Sequence, residues 1–196
     1  MFKIKKITLH NQSDEELYTL MCKGNSEAFS ELYRRYNKRL LYYFYRMLGN
    51  DSLLSQDFLQ ELFFKIIEKP FLFDSSRKFS TWIFSVAHNM CKNEYRSKEV
   101  RKIMLKNENL DIYFENDSET TSKDKMVEAI FIELEMFDES HKTSFLLKYR
   151  EGFSLEEISE TLNLPVGTIK SRLFYTRKRL QEILTSKYSE TIENLF

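Results

Sequence analysis

Five cationic side chains, Lys170, Arg172, Arg177, Lys178 and Arg179, fall between Val166 and Leu180, a stretch that holds no acid. Such a cluster can neutralise phosphate, and Arg or Lys can also pair with the O6 and N7 acceptors of guanine. Thr168 and Ser171 sit among the first of the cations, so this end of the segment is small enough to approach base edges. Upstream, Ser154 and Glu157 have capping-box spacing, and Leu155, Ile158 and Leu162 share one helical face. Asn163-Leu164-Pro165 then reads as a turn, and Ile169, Leu173 and Leu180 supply a docking face for the basic helix. The layout is that of a helix-turn-helix whose second helix reads DNA. A basic amphipathic helix alone is more often a solvated surface. The cap, the turn and the small-residue start together favour nucleic acid.

Two further groups of residues invite a chemical reading. Asp57, Gln60, Glu61 and Lys65 lie at i, i+3, i+4 and i+8, which places them on one helix face. Paired carboxylates can do acid–base work, but no pocket, metal partner or nucleophile accompanies these. On spacing alone they are a solvated face with ion pairs of small worth. The second group is the face formed by Ser85, His88, Asn89, Lys92 and Arg96, which carries no acid and suits nucleic-acid backbone and bases. The loop before it holds Phe71, Phe73, Asp74, Arg77 and Lys78, and aromatics beside cations can stack splayed-out bases. Phe79 and Trp82 read as core; Phe71 and Phe73 fit either role.

Helices must position all of these residues. Ser13 and Glu16 open a first helix that stops near Gly24. A longer helix from Ser26 carries Phe29, Leu32, Tyr33, Tyr36, Leu40, Leu41, Phe44 and Met47 at helical spacing and ends at Gly49-Asn50-Asp51. A third, with the apolar stripe Phe58, Leu59, Leu62, Phe63, Ile66 and Ile67, stops at Pro70. A fourth starts near Ser80, runs past Arg96 and buries Trp82, Ile83, Val86, Ala87 and Met90. Residues 107–122 contain five acids and no base and read as a flexible acidic linker. A second helical domain follows, with Met126, Val127, Ile130, Phe131 and Leu134 on one face and Phe145, Leu146 and Tyr149 on the next helix. The expected fold is all-α: two small helical domains, 1–98 and 123–196, joined by a linker over 99–122, the second being the helix-turn-helix domain.

With 4 Gly and 2 Pro, a turn-rich β protein is excluded. Cys22 and Cys91 read as reduced thiols, and His10, His88 and His141 are too scattered for zinc, so neither metal nor cofactor is expected. No long uncharged apolar run suggests a membrane span, and the expected location is the cytoplasm. The chain has 30 basic and 30 acidic side chains, but they are unevenly distributed. Residues 1–96 hold 15 basic against 11 acidic, 97–140 hold 6 against 12, and 141–196 hold 9 against 7. The acid is concentrated in the middle, leaving mildly basic outer parts for nucleic acid.

Taken together, these motifs resemble the small two-domain extracytoplasmic-function (ECF) group of bacterial RNA polymerase sigma factors. The resemblance is carried by Gly24-Asn25-Ser26-Glu27-Ala28-Phe29, Tyr33-Arg34-Arg35-Tyr36, the run Asp57 to Lys65 and the run Phe79 to Asn89. In the second domain it is carried by Glu151 to Ile158 and Pro165 to Leu173. The resemblance implies a non-enzymatic factor that directs promoter-specific transcription initiation with core RNA polymerase. Asp57, Gln60, Glu61 and Lys65 would dock on the clamp helices of the largest polymerase subunit. Phe73, Asp74, Arg77, Lys78, Ser85, His88, Asn89, Lys92 and Arg96 would bind the melted −10 element. Thr168, Lys170, Ser171, Arg172, Tyr175, Arg177, Lys178 and Arg179 would read the −35 duplex, and the same domain would touch the flap of the second-largest subunit. The linker would thread near the active-site and RNA-exit path. An anti-sigma factor, membrane-anchored in many cases, is the implied regulator. The chain departs from the family's usual residues at His88, Asn93 and Phe137-Asp138-Glu139. A response-regulator-like dimer is the main rival, a helix-turn-helix regulator that is no polymerase subunit, but residues 1–96 lack the strand alternation of a receiver. A helical enzyme or adaptor using the Asp57/Glu61 face is the other.

Overall fold

The computed structural model describes residues 9–69, 71–104 and 122–193. Among them are eight α-helices, a 3-10 turn at Leu9–Asn11 and no strand, in keeping with the expected all-α class. They fall into two compact units, one of residues up to Met90 with Glu160–Leu162 grouped to it, the other of the remainder. Pro70, expected to stop the third helix, and residues 105–121 of the expected linker lie outside the described residues.

The first unit contains α1 (Asp14–Cys22), α2 (Ser26–Met47), α3 (Ser52–Glu68) and the start of α4 (Phe79–Met104). Its boundaries follow from local chemistry. Ser13 Oγ accepts from the Glu16 N–H at 3.1 Å while Glu16 Oε2 accepts from the Ser13 N–H at 2.9 Å, closing the expected capping box. At the other end Gly24 takes φ +86°, a left-handed conformation that costs glycine little, and lets its N–H and that of Asn25 reach the Met21 and Leu20 carbonyls. Asn25 then caps α2 by accepting the Ala28 N–H at 3.0 Å, and Asp51 caps α3 by accepting the Leu54 N–H at 2.9 Å.

Helix α2 packs against both α1 and α3. It buries Ala28, Leu32, Tyr36, Leu40, Tyr43, Phe44 and Met47, each large apolar side chain contributing about 1.5–3 kcal/mol by leaving water. Tyr33, expected inside, is exposed, and Tyr43 takes an interior place, because the buried face is set by 3.6-residue drift over six turns. In α3, Leu59, Leu62, Phe63 and Ile66 are buried as expected, whereas Ile67 lies on the solvent flank. Helix α4 begins at Phe79 and extends to Met104, so residues 99–104, expected in the linker, are helical. It buries the Phe84–His88–Cys91 row as well as the expected Ile83, Ala87 and Met90.

Arg35 ties the segment before α1 to α2. Its guanidinium donates to the carbonyls of His10 and Gln12, each at 2.9 Å, to Asp14 Oδ1 at 2.6 Å and to Glu31 Oε1 at 2.8 Å. Asp14 Oδ2 also accepts from the buried Tyr36 hydroxyl. Glu31 in turn accepts from Arg34 and meets His10.

The second unit contains the rest of α4, α5 (Ser122–Leu134), α6 (Glu139–Tyr149), α7 (Leu155–Leu162) as far as Ser159, and α8 (Val166–Glu193). Asp138 opens α6 by accepting the Ser140 and His141 N–H groups, each at 3.0 Å, so the atypical Phe137-Asp138-Glu139 sequence still makes a sound helix start. Helix α8 packs on α5 and α6. Leu134, Leu146 and Leu147 are buried, while Val127 and Tyr149, expected inside, face solvent. Among the α5 side chains described, Ala129, Glu133 and the expected Leu134 are buried and Ile130 and Phe131 half-buried, while Met126 lies outside them.

Two outcomes follow. Arg35→Ala should cost about 2–3 kcal/mol in urea unfolding, because it strands two carboxylates and several carbonyls at once. Arg35→Lys should recover only part of that, since an ammonium lacks the planar fork. The Glu31 carboxyl is held well below the usual carboxylate range by the Arg34 hydrogen bond and further by Arg35 and His10, against its own desolvation. Its contribution is therefore complete above the unfolded-state pKa of about 4.3 and is lost as pH falls below it. The gap in urea midpoint between wild type and Glu31→Gln should shrink below about pH 4. A gap unchanged from neutral pH to about pH 3 would contradict this.

Candidate nucleic-acid interface

The helix-turn-helix is assembled as its residues predict. Ser154 Oγ accepts from the Glu157 N–H at 3.1 Å and Glu157 Oε2 from the Ser154 N–H at 2.8 Å, fixing the start of α7. Asn163 adopts φ +52°, and the Leu164 N–H reaches the Ser159 carbonyl at 3.0 Å while Ser159 Oγ donates to the Leu164 carbonyl. The Pro165 carbonyl accepts the Thr168 and Ile169 N–H groups, so proline stands just ahead of α8, where its missing N–H costs nothing.

Helix α8 presents two opposed rows. Ile169, Leu173, Thr176 and Leu180, at i, i+4, i+7 and i+11, are buried. Gly167, Ser171, Phe174 and Lys178 repeat the same spacing on the far side and are exposed. Lys170, Tyr175, Arg177 and Arg179 flank that row and are also exposed, whereas Thr168 and Arg172 are half-buried. Arg172 NH1 lies out of water with no hydrogen-bond partner, on the flank rather than the crest of the helix. Phe174 was not expected here. An aromatic in an amphipathic helix reads as core, yet its offset of seven from Gly167 puts it opposite the Ile169–Leu180 row. The Phe174 and Tyr175 rings touch at 5.5 Å between centroids. Beyond the basic segment, Ile130, Phe145, Leu180 and Leu184 line an apolar groove of about 330 Å³ within this unit, edged by Arg177, Gln181 and Thr185.

In the first unit the residues before α4 divide in two. Phe71 stands 97% exposed. Phe73 is only 7% exposed, so its assignment to the −10 surface is corrected. Its ring completes a tetrad with Tyr18, Phe79 and Trp82, with every centroid pair between 5.0 and 5.7 Å. Tyr18 is hydrogen-bonded to the Phe73 backbone, and burial pushes its phenol up to about 12, so it stays protonated. Asp74, Ser75, Ser76, Arg77 and Lys78 are exposed. Asp74 Oδ1 accepts the Ser76 N–H at 2.9 Å and its carbonyl accepts the Arg77 N–H at 3.0 Å, a local turn that also holds the carboxyl below its ordinary range.

Along α4, Asn89, Lys92 and Arg96 are exposed and Ser85 is half-buried. His88 is 6% exposed and belongs to the inner Phe84–Cys91 row, a second correction to the expected face. The reason is the width of the buried arc: α4 is covered on more than one side, so a residue next to the apolar stripe is covered with it.

Helix α3 presents Asp57, Gln60 and Glu61 to solvent, with Lys65 half-buried and paired to Glu61 Oε1 at 2.5 Å. Leu53, Phe64 and Ile67 are exposed on the same side, at i, i+11 and i+14, with Phe64 at 60%. The face is thus a mixed apolar and acidic strip rather than a purely solvated one. Among the described residues no cluster of His, Cys, Asp and Glu could hold a metal ion, and no helix is long and apolar enough to cross a membrane.

Known proteins share both halves of this arrangement. The family model for Sigma-70 region 2 matches residues 32–101, and that for Sigma-70, region 4 matches residues 135–180. The ECF RNA polymerase sigma factor SigW of Bacillus subtilis (strain 168) is 31% identical over 176 residues, spanning 83% of this chain and 91% of that protein. The chain belongs to the ECF sigma factors of RNA polymerase. The ECF RNA polymerase sigma-E factor of Haemophilus influenzae is 27% identical over 180 residues, 86% of this sigma factor and 94% of that one. The fold is shared with CnrH, solved in complex with the cytosolic domain of CnrY, at a TM-score of 0.68 and 21% identity over 90% of this chain and 99% of that one. It is shared too with the sigma factor RpoE of Bartonella quintana, solved with the anti-sigma factor NepR, at 0.63 and 22% over 75% and 91%. As a sigma factor the protein binds core RNA polymerase and directs promoter-specific initiation. Its family consists of regulatory subunits.

The two rows of α8 predict opposite behaviour in thermal denaturation. Leu173→Ala should cost about 2–4 kcal/mol, whereas Phe174→Ala and Tyr175→Ala should each change stability by less than about 0.5 kcal/mol.

Proposed function

We propose that this sigma factor divides its work among three exposed surfaces. Residues 1–98 form the domain that docks on core polymerase and captures the −10 element, 99–122 include the linker, and 123–196 form the −35-reading domain. The observation that carries this reading is that the α3 and α8 surfaces and the Asn89–Lys92–Arg96 part of α4 lie on helix faces opposite buried rows, with the exposed 74–78 loop beside α4, so a partner can be met without unpacking a core.

Core polymerase meets the α3 strip: Asp57, Gln60, Glu61 and Lys65, joined by Phe64. The exposed apolar side chains support this. A protein partner gains from covering Leu53, Phe64 and Ile67, and the neighbouring carboxylates set the register. The melted −10 strand meets Asp74, Arg77, Lys78, Asn89, Lys92 and Arg96, with Ser85 at the edge. Phe71 supplies the exposed ring that Phe73 does not. A strand whose bases are splayed out can stack on that ring while the cations hold its phosphates.

The −35 duplex meets the Gly167–Ser171–Phe174–Lys178 row and its flanks Thr168, Lys170, Tyr175, Arg177 and Arg179, with Arg172 at the margin. In a major groove, Lys170 is placed for a guanine edge and Phe174 for a thymine methyl. The apolar groove beside Leu180 and Leu184 takes the polymerase flap. An anti-sigma factor, like the NepR bound by the Bartonella quintana relative, would compete for these surfaces when the factor is held inactive. The protein acts in the cytoplasm, with promoter DNA and polymerase as partners, and supplies no catalysis or cofactor of its own.

The protein added to core polymerase should yield promoter-specific transcripts from a genomic promoter library. Absence of both transcripts and co-migration with core would defeat the reading. Glu61→Ala combined with Phe64→Ala should weaken core binding about tenfold or more, leaving −35 duplex binding intact. Lys178→Ala should lower −35 affinity across sequences and reduce the salt slope by about one. Equal loss on both surfaces from the α3 variant would refute the division of labour.

A further inference from the structure

We infer that α1 acts as a clip that positions the 71–78 loop for the melted strand, with Glu15 and Tyr18 as positioning residues. The inference rests on the assignment of that loop to −10 DNA.

The start of α4 poses a local problem. The residue before its first turn is Lys78, whose carbonyl accepts the Trp82 N–H at 3.1 Å. A lysine side chain has no acceptor atom, so it cannot cap the first N–H groups as Ser, Asp or Asn would. Glu15 supplies the missing oxygen from another helix: its Oε1 accepts the Phe79 N–H at 2.8 Å. A carboxylate at this place also faces the positive end of the α4 dipole.

One turn further along α1, Tyr18 holds the other end of the same loop. Its ring meets that of Phe73 at 5.0 Å, and it is hydrogen-bonded to the Phe73 backbone. Glu15 and Tyr18 are three residues apart, so they share a face of α1. Two neighbouring side chains therefore grip Phe73 and Phe79. The exposed stretch between them, Asp74 to Lys78, is the part offered to DNA. Neither positioning residue need touch the strand. They act by fixing both ends of the loop before the strand arrives, so that less conformational freedom is lost on capture. Helix α1 lies outside the region 2 match, which begins at residue 32, so its part in strand capture is assigned by geometry alone.

The test uses full-length chain reconstituted with core polymerase. The probe is a promoter fragment recovered from the library experiment above, carrying 2-aminopurine in its melted segment. At saturating holoenzyme, Glu15→Ala should reduce the opened fraction or opening rate about five- to tenfold, the equilibrium equivalent of one lost cap. Glu15→Gln, which keeps an acceptor oxygen, should stay within about threefold of wild type. Tyr18→Phe keeps the ring but loses the hydroxyl, and should fall between them. Core affinity and −35 duplex binding should change less than about twofold in all three, because α3 and α8 are untouched. A purely structural role for Glu15 would instead lower core affinity and opening in the same proportion, and that result overturns the clip. Wild-type opening by Glu15→Ala also overturns it. If wild type itself opens no promoter, the assignment of the loop to −10 DNA fails first, and the two failures are told apart by that control.

Discussion

The tetrad of Tyr18, Phe73, Phe79 and Trp82 is the contact on which the first unit's proposed DNA surface depends. Four aromatic rings from α1, the loop and α4 bury one another, and offset or edge-to-face pairs of this kind add about 0.5–1.5 kcal/mol each beyond the area they cover. Burial of Phe73 forces the chain to turn outward immediately afterwards, where Asp74 closes a local turn through the Ser76 and Arg77 N–H groups. The residues presented after the anchor, Asp74 to Lys78, are polar, while Phe71 before it stays exposed. Arg35 and its carboxylates play a related part at the other end of α1, where they tie the preceding segment to α2 and so hold the helix that carries Tyr18.

Charge follows the same economy. A chain with equal numbers of acidic and basic side chains has no long-range pull on DNA as a whole. Local groups of exposed cations instead stand on α8, at Lys170, Arg177, Lys178 and Arg179, and in and before α4, at Arg77, Lys78, Lys92 and Arg96. The α3 strip carries Asp57 and Glu61 among exposed apolar residues, a composition suited to a protein partner. Each single contact with DNA can then remain weak. On the proposed division of labour, two DNA surfaces and a protein surface on one chain raise one another's effective concentration, so weak grips add up once all are engaged.

Much of this was legible in the residues. Capping boxes at Ser13 and Ser154 place helix starts because one side-chain oxygen and one carboxylate must meet two particular N–H groups. The recognition helix was legible because Ile169, Leu173 and Leu180 define its inner row without ambiguity. What escaped was the fate of residues at the edges of apolar stripes. Phe73 and Phe71 are the same residue type two positions apart, and only tertiary packing decides that one enters the tetrad and the other meets water. His88 adjoins the stripe of α4 and is covered because that helix is buried on more than one side. Phe174 and Phe64 look like core residues by type and are surface residues by phase. The Glu15 cap joins positions 64 residues apart, a pairing that no local pattern encodes.

The opposed rows of α8 have one more consequence. Ile169, Leu173, Thr176 and Leu180 hold the helix in place, and Gly167, Ser171, Phe174 and Lys178 face outward; no residue serves in both rows. On the proposed assignment of the outer row to the −35 duplex, substitutions that change which promoter is read can therefore accumulate there without passing through unfolded intermediates. The helix is in this sense an exchangeable reading head, and a lineage that duplicates the gene can send one copy to a new set of promoters while the fold stays as it was.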